Sequence, residues 1–326
     1  MTSVLVTGGA GYIGSQTCKS LSKHGCQPIV LDNLSSGHEH NVRWGPLVVG
    51  STSDQILVES TIRRYNIEAV IHFAANAYVR ESVCSPRDYY INNVANSISL
   101  LEAVINTGVQ HFIFSSSCAT YGIPEDVPIL ETTPCRPVSP YGETKLVVEN
   151  MLRSYSAAYS LNWLALRYFN AAGADPEGDL GEEHSPETHL IPLAIAAALG
   201  TKNSLCINGT TFPTKDGSAI RDFIHVWDIA HAHTLGLQFL LGNSYGGAIN
   251  LGTGQGHSVL EIVKQIETIS KRIIPTYIAP RNFVDPAVLI ASPDLAHKTL
   301  NWTPQYSQLH QMIEHALSWA QCNPKL

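Results

Sequence analysis

The run S-V-L-V-T-G-G-A-G-Y-I-G, residues 3–14, narrows the possible folds more than any other stretch of the 326 residues. An apolar, β-branched segment passes directly into glycines at 8, 9, 11 and 14, and a helical pattern follows. Glycines there let the chain turn tightly, let backbone approach a phosphate closely, and let the next helix pack on the strand. The helix start adds unpaired N–H groups and the positive end of its dipole, which suit a pyrophosphate. Asp32 lies eighteen residues past Gly14, at the end of the next apolar run. A carboxylate in that place accepts hydrogen bonds from ribose hydroxyls and repels a 2′-phosphate, so the pattern reads as a site for NAD rather than NADP. The bland alternative, a glycine turn with no ligand, leaves Asp32 unaccounted for.

The pattern continues through the first half of the chain. Apolar runs at 3–7, 28–32, 47–49, 69–73 and 111–116 predict strands, and helical spacing at 14–24, 56–65 and 92–106 predicts helices between them. A long helix is predicted over 142–160, with Pro140 ahead of it as a start signal, and a further strand over 163–168. Such alternation means an α/β fold, a doubly wound parallel (Rossmann) sheet with helices on both faces. Residues 171–189 are rich in Gly, Asp, Glu and Pro and lack periodicity, the mark of a functional or mobile loop. Shorter mixed elements follow, so a smaller C-terminal α+β domain for the substrate is expected. The division runs 1–170 and 171–326, with part of 214–250 returning to the first domain.

Composition excludes several function classes. Net charge is −7, only 14% of residues are charged, and no stretch concentrates Lys and Arg, which argues against a nucleic-acid partner. The start lacks the basic and apolar regions of a secretory signal, and the longest nearly apolar run, 190–199, is about half a membrane span. Seven cysteines, an odd number without C-x-x-C, fit reduced thiols and a cytoplasmic location. The 14 histidines include His38/His40 and His231/His233, but none has a third ligand at a sensible spacing, so no metal is expected.

In P-Y-G-E-T-K, Tyr141 and Lys145 fall one helical turn apart on one face. An ammonium beside a phenol favours the phenolate, which makes a base of an otherwise inert group. Ser117, in S-S-S-C-A-T-Y-G at the end of the fifth predicted strand, stands where open α/β sheets bind ligands, and could hydrogen-bond a hydroxyl that Tyr141 deprotonates. Cys118 beside it reads as a reactive thiol or, more simply, as a small buried hydrophobe.

With these motifs in place, the chain resembles the extended short-chain dehydrogenase/reductase family over nearly its full length. Within it, the chain is similar to the UDP-glucose 4-epimerase (UDP-galactose 4-epimerase) group. The resemblance rests on T-G-G-A-G-Y-I-G, L-D-N-L, S-P-Y-G-E-T-K, L-R-Y-F-N-A-A-G-A, H-L-I-P and D-G-S-A-I-R-D-F-I-H-V-W-D. It implies reversible C4 epimerisation of a UDP-hexose through a transient 4-keto sugar and bound NAD. Tyr141 would take the O4 proton, Ser117 would hold O4, and Lys145 would lower the Tyr141 pKa and hold the nicotinamide ribose. NAD contacts implied are Gly8, Gly11, Tyr12, Ile13, Gly14, Asp32, Asn33, Ser51, Thr52, Phe73, Ala74, Ala75, Asn92, Ser115, Tyr141, Lys145 and Phe169. Nucleotide-sugar contacts implied are Ser117, Tyr141, Asn170, His189, Leu190, Cys206, Asn208, Arg221, Arg281, Asp285 and Leu289. For Arg221 a guanidinium gripping a diphosphate is the functional reading, and an ion pair with Asp222 or Asp228 the structural one. The family also implies a homodimer through the helices near 92–106 and 142–160.

The chain departs from the family pattern at Ser51, where Asp is usual, and at Ala77, often Lys. Arg80 stands in place of Gly, and Asn282 in place of one arginine of a pair. UDP-arabinose (UDP-xylose) and UDP-N-acetylhexosamine 4-epimerases are the alternatives nearest in chemistry, and Leu289, at the position that limits sugar size, argues mildly against the latter. A 4,6-dehydratase needs an acid pair where this chain has Cys118 and Ala119. A non-catalytic NAD-binding protein needs neither Tyr141 nor Lys145, and both are present.

Overall fold

The computed structural model describes residues 1–281, 285–306 and 308–323. Asn282 therefore lies outside the described residues. The first half alternates as expected: β1 (Ser3–Thr7), α1 (Tyr12–Lys23), β2 (Gln27–Asp32), β3 (Leu47–Val49), α2 (Gln55–Tyr65), β4 (Ala69–His72), α3 (Val79–Cys84), α4 (Pro86–Tyr89), α5 (Asn96–Asn106), β5 (His111–Ser117), α6 (Pro140–Tyr159) and β6 (Asn162–Tyr168). Beyond it come β7 (Asn170–Ala172), α7 (Leu190–Leu199), β8 (Leu205–Asn208), β9 (Ile220–Arg221), β10 (Phe223–His225), α8 (Val226–Gly242) and β11 (Gly246–Leu251). The described chain closes with β12 (His257–Ser258), α9 (Val259–Ser270), β13 (Thr276–Ala279), β14 (Val288–Leu289), α10 (Asp294–Leu300) and α11 (Leu309–Cys322).

Seven parallel strands form one sheet in the order β11-β6-β5-β4-β1-β2-β3. The order reverses between β1 and β4, and the carboxyl ends beside that switch point are where ligands of such sheets bind. The central strands are apolar along their length because both faces are covered. Val4, Val6, Val30, Ile71 and Leu164 pack under α1 and α8, while Leu5, Ile29, Val70, Phe112 and Ala165 pack under α2, α5 and α6. α8 packs on the sheet, and β11 extends it beside β6. A separate apolar core joins α7, α9 and α11 through Ile191, Ile195, Ile266, Met312 and Ile313.

Several boundaries differ from the sequence expectation by a residue or more, and the following three bear on the site. β5 runs on to Ser117, which becomes the last residue of a central strand. α6 starts at Pro140, capped by the Ser139 hydroxyl, so Tyr141 sits in its first turn. The helix expected from 92 begins earlier, because a wide π-helical turn, Tyr90–Ala95, joins α4 to α5. That turn carries Asn92 and Asn93. Asn93 accepts from the Asn76 N–H at 2.8 Å and donates to the Asn76 carbonyl at 3.0 Å and the Thr144 hydroxyl at 3.1 Å, which fastens the chain after β4 to α6.

The aperiodic loop is tied down by charge. The buried Lys19 ammonium on α1 meets Asp175 at 2.5 Å, Asp179 at 2.7 Å and Glu177 at 2.9 Å. Tyr12 donates to the Gly173 carbonyl at 2.6 Å, and His40 meets Glu183 at 2.8 Å.

Candidate active site

One cavity of about 830 Å³ opens at the carboxyl ends of the strands, large enough for a dinucleotide or nucleotide-sized ligand. The glycine loop builds one end. Gly8 has φ of +71°, and a Cβ on it would stand 2.6 Å from the Ala74 nitrogen; one on Gly14 would stand 2.2 Å from the Gly8 carbonyl oxygen. No side chain caps α1, so its first N–H groups, at Tyr12 and Ile13 on the cavity wall, have no intrahelical partner. Asp32 faces the same space. Its carboxylate also accepts from the N–H groups of Ala10 at 3.0 Å and Leu34 at 2.8 Å, which holds the glycine loop and the β2 end in register. This is a cradle shaped by missing side chains, with orphan donors and a carboxylate, and it fits a dinucleotide.

Asn33, Ser51, Thr52, Phe73, Ala74, Ala75, Asn92, Ser115 and Phe169 line the cavity, together with Ser117, Tyr141 and Lys145. Ser51, at the place of the usual acid, hydrogen-bonds Ser53 at 2.8 Å. Ser115 shares a short hydrogen bond with Tyr168, a lining residue the sequence reading missed. Its signal was present: Arg167 and Tyr168 are neighbours on β6 and so point to opposite faces. Arg167 turns away to meet the buried Glu149, which leaves the Tyr168 hydroxyl on the cavity side.

Tyr141 and Lys145 share the inner face of α6 and are both buried, the ammonium 5.7 Å from the phenol ring centre. Burial pushes the Tyr141 phenol up to about 12, against the lowering effect of its hydrogen bond with Ser117. Burial pulls Lys145 down to about 7, against the Glu149 carboxylate one turn on. The expectation that Lys145 lowers the Tyr141 pKa is thus not met in the chain by itself: desolvation of the phenol prevails. The Lys145 ammonium donates to the Ser115 carbonyl at 2.7 Å. The Ser117 hydroxyl also accepts from the Ala119 N–H at 3.1 Å, so its backbone role and its contact with Tyr141 coexist. Cys118 is buried and its thiol is pushed up to about 12, which makes it a small core residue.

At the other end, Asn170, His189, Arg221, Asp285 and Leu289 line the cavity. The predicted alternative for Arg221, an ion pair with Asp222 or Asp228, is not formed. Asp222 instead accepts from the N–H groups of Thr253, Gly254 and Ala291, and Asp228 from those of Gln305 and Tyr306. Arg221 donates to the Ile220 carbonyl at 2.8 Å, and no carboxylate among the described residues comes within ion-pair distance of it. Burial lowers its pKa; Cys118 and Asp285 act the other way. A part-buried guanidinium that no carboxylate among the described residues pairs with, facing a cavity, suits an anionic ligand.

Leu190, Cys206, Asn208 and Arg281 are not on the cavity wall. Leu190 opens α7, directly after His189. Cys206 and Asn208 stand on β8, and Arg281 lies over Phe212 with its backbone against Gly209. Arg80 and Ala77, the departures noted above, both reach the cavity. The reading also missed Tyr78, Glu182 and His184. Glu182, His184 and His189 line the wall and gather with Glu187 in one group, although spacing alone had suggested no such cluster. Burial works against charge on the two imidazoles, but hydrogen bonds to Glu182 and Glu187 outweigh it and raise His184 to about 9 and His189 to about 10.

Residues 4–252 match the NAD dependent epimerase/dehydratase family. A UDP-glucose 4-epimerase of Halalkalibacterium halodurans is 46% identical over 98% of this chain and 96% of its own length. The crystal structure of a UDP-glucose 4-epimerase from Brucella ovis in complex with NAD superposes with a TM-score of 0.95 at 49% identity, covering 98% of each chain. That of a UDP-glucose 4-epimerase from Stenotrophomonas maltophila, with bound NAD and formylated UDP-arabinopyranose, gives 0.96 at 37% identity over 100% and 99%.

Proposed function

The chain belongs to the NAD dependent epimerase/dehydratase family, and on that premise we propose that it inverts C4 of a UDP-hexose, interconverting UDP-glucose and UDP-galactose through a transient 4-keto sugar. The observation that carries this reading is one cavity with a glycine cradle at one end, Arg221 without an ion pair among the described residues at the other, and Tyr141 with Ser117 on its wall.

NAD, held by the glycine loop, Tyr12, Ile13, Asp32 and Asn33, supplies the reversible oxidant for the C4 hydrogen. Tyr141 takes the O4 proton as the sugar is oxidised and returns it to O4 as the sugar is reduced on the other face of C4, one group acting as base and then acid. Ser117 orients O4 through its contact with the same phenol. Lys145, close to the phenol ring, stabilises the phenolate as it forms and reaches towards the ribose. Arg221 takes the diphosphate, with Asn170, His189 and Asp285 about it. Leu289 bounds the sugar. Leu190, Cys206, Asn208 and Arg281 belong to the outer, nucleotide end of this reading. Dehydration at C6 is disfavoured by the inert Cys118 thiol beside Ala119.

Residues 1–170, with part of 214–250, are the NAD domain in this reading, and 171–326 the nucleotide-sugar domain. The enzyme is a cytoplasmic homodimer pairing through α5 and α6, a proposal supported by exposed Ile91 and Ile98, seven residues apart on the helical run that ends in α5. No helix among the described residues is long and apolar enough to cross a membrane.

The test is a panel of UDP-glucose, UDP-galactose, UDP-xylose, UDP-arabinose and UDP-N-acetylglucosamine, with products resolved by chromatography. Interconversion of the hexose pair faster than the others is expected. Inertness towards every UDP-sugar would overturn the reading.

A further inference from the structure

The segment Glu182-Glu183-His184-Ser185-Pro186-Glu187-Thr188-His189 folds back on itself and brings two carboxylates and two imidazoles together, three of the four lining the cavity. His189 Nδ1 stands 2.7 Å from a Glu182 oxygen and 2.9 Å from one of Glu187. His184 Nδ1 stands 3.0 Å from Glu182 and 3.8 Å from Glu187. All four donor atoms lie within 4.8 Å of one another. Donors about 2.0–2.2 Å from a single ion at tetrahedral angles stand about 3.3–3.6 Å apart, a span these contacts bracket. We propose that Glu182, His184, Glu187 and His189 form a binding site for a divalent cation of the zinc type, on the loop that closes the cavity.

The donor set suits such an ion: two imidazole nitrogens and two carboxylate oxygens, without the all-oxygen shell that calcium or magnesium prefers. The outer contacts suit it too. The N–H groups of Thr188 and His189 donate to a Glu187 oxygen at 2.6 and 2.7 Å and fix that carboxylate. Tyr12 and Tyr78 set their rings edge-on against His184, which shields one side from water. On binding, the ion takes the nitrogen lone pairs, and any proton those ring nitrogens carry leaves to solvent. A second group, His38, His40 and Glu183, lies in the same region, with His40 bonded to Glu183. It offers three donors rather than four, and His40 is well exposed.

Cobalt(II) separates the two groups, because a four-coordinate ion absorbs visible light far more strongly than a hexahydrated one. Metal-free protein titrated with Co2+ is expected to develop the strong four-coordinate bands, saturating at one ion per chain, and Zn2+ is expected to bleach them. Zn2+ is also expected to raise Tm, since an ion bound only by the folded chain stabilises it. His184→Ala and the near-isosteric Glu187→Gln are expected to abolish the bands and the rise in Tm, and His40→Ala to keep both. Absence of the bands at one equivalent would overturn the proposal. So would their persistence in Glu187→Gln, or their loss in His40→Ala, which would place the ion on the other group.

Discussion

The glycine loop with Tyr141 and Lys145, and the loop 173–189, line the same cavity but are held there in different ways. The first group rides on strand ends and a helix start, placed by parallel ladders and by the Ser139 cap. The second has no ladder of its own beyond Ala172. It is positioned by ion pairs that cross more than 130 residues of sequence, chiefly Lys19 with Asp175, Glu177 and Asp179. Backbone order within a motif can be read locally, whereas an ion pair between distant segments cannot. The difference also divides stability from chemistry: the strand-borne residues should be sensitive in rate, and the charge-tied loop sensitive in stability.

The sharpest break of that division is Tyr141→Phe. It removes the proton carrier and leaves the fold, so kcat is expected to fall by about two to four orders of magnitude with NAD still bound. Steady-state rates alongside absorbance of the bound dinucleotide check both halves. A variant with both activity and fold intact would refute the role given to the phenol.

Lys19→Met is the matching test on the loop side. It leaves the buried Asp175 carboxylate without its cation, and losing one partner of a buried pair costs about 3–5 kcal/mol. Chemical denaturation is expected to show that loss. KM for the nucleotide sugar should rise more than kcat falls, because the loop walls the cavity without carrying the proton. An unchanged midpoint would mean that the loop is held by other contacts.

Lys145→Met joins the two regimes through pH. In the folded, ligand-free chain burial holds Lys145 near 7, below its ordinary value of 10.5. Between those values the unfolded chain binds more protons, so this group makes the wild type more stable as pH rises from about 7 towards 10.5. Below 7 the buried ammonium is present and its full cost is paid in stability. Lys145→Met is therefore expected to be more stable than wild type at pH 6, with the gap narrowing by pH 9, although it is inactive. Thermal melts at the two values decide it; a gap that widens with pH contradicts the sign.

The smallest effect is expected at Glu177→Gln. This carboxylate is exposed, and hydrogen bonds from Lys23 and Lys19 hold its pKa down at about 2. Solvent screens such pairs, and Asp175 and Asp179 still hold Lys19, so Tm should stay within about 2 °C of wild type.

Much of the sheet half was legible because its signals are local. β1 and β3 begin and end where periodicity places them, and Gly8, Asp32 and Tyr141 line one cavity. What escaped depends on the third dimension. Asn93 gains its part from a π-helical turn that periodicity does not reveal. Tyr168 is exposed to the cavity only because Arg167 is drawn to Glu149. Glu182 and His184 meet Glu187 and His189 only once Lys19 and Tyr12 have pinned the loop. The state of Tyr141 and Lys145 also eluded the spacing argument, because burial acts on both more strongly than they act on each other.

The central claim is that the same C4 hydrogen leaves the sugar and returns to its other face while Tyr141 moves the O4 proton. Incubation of the enzyme with UDP-galactose carrying deuterium at C4, in ordinary water, tests it directly by NMR of the product. The account predicts UDP-glucose with the label still at C4. UDP-glucose with C4 hydrogen drawn from solvent would contradict it.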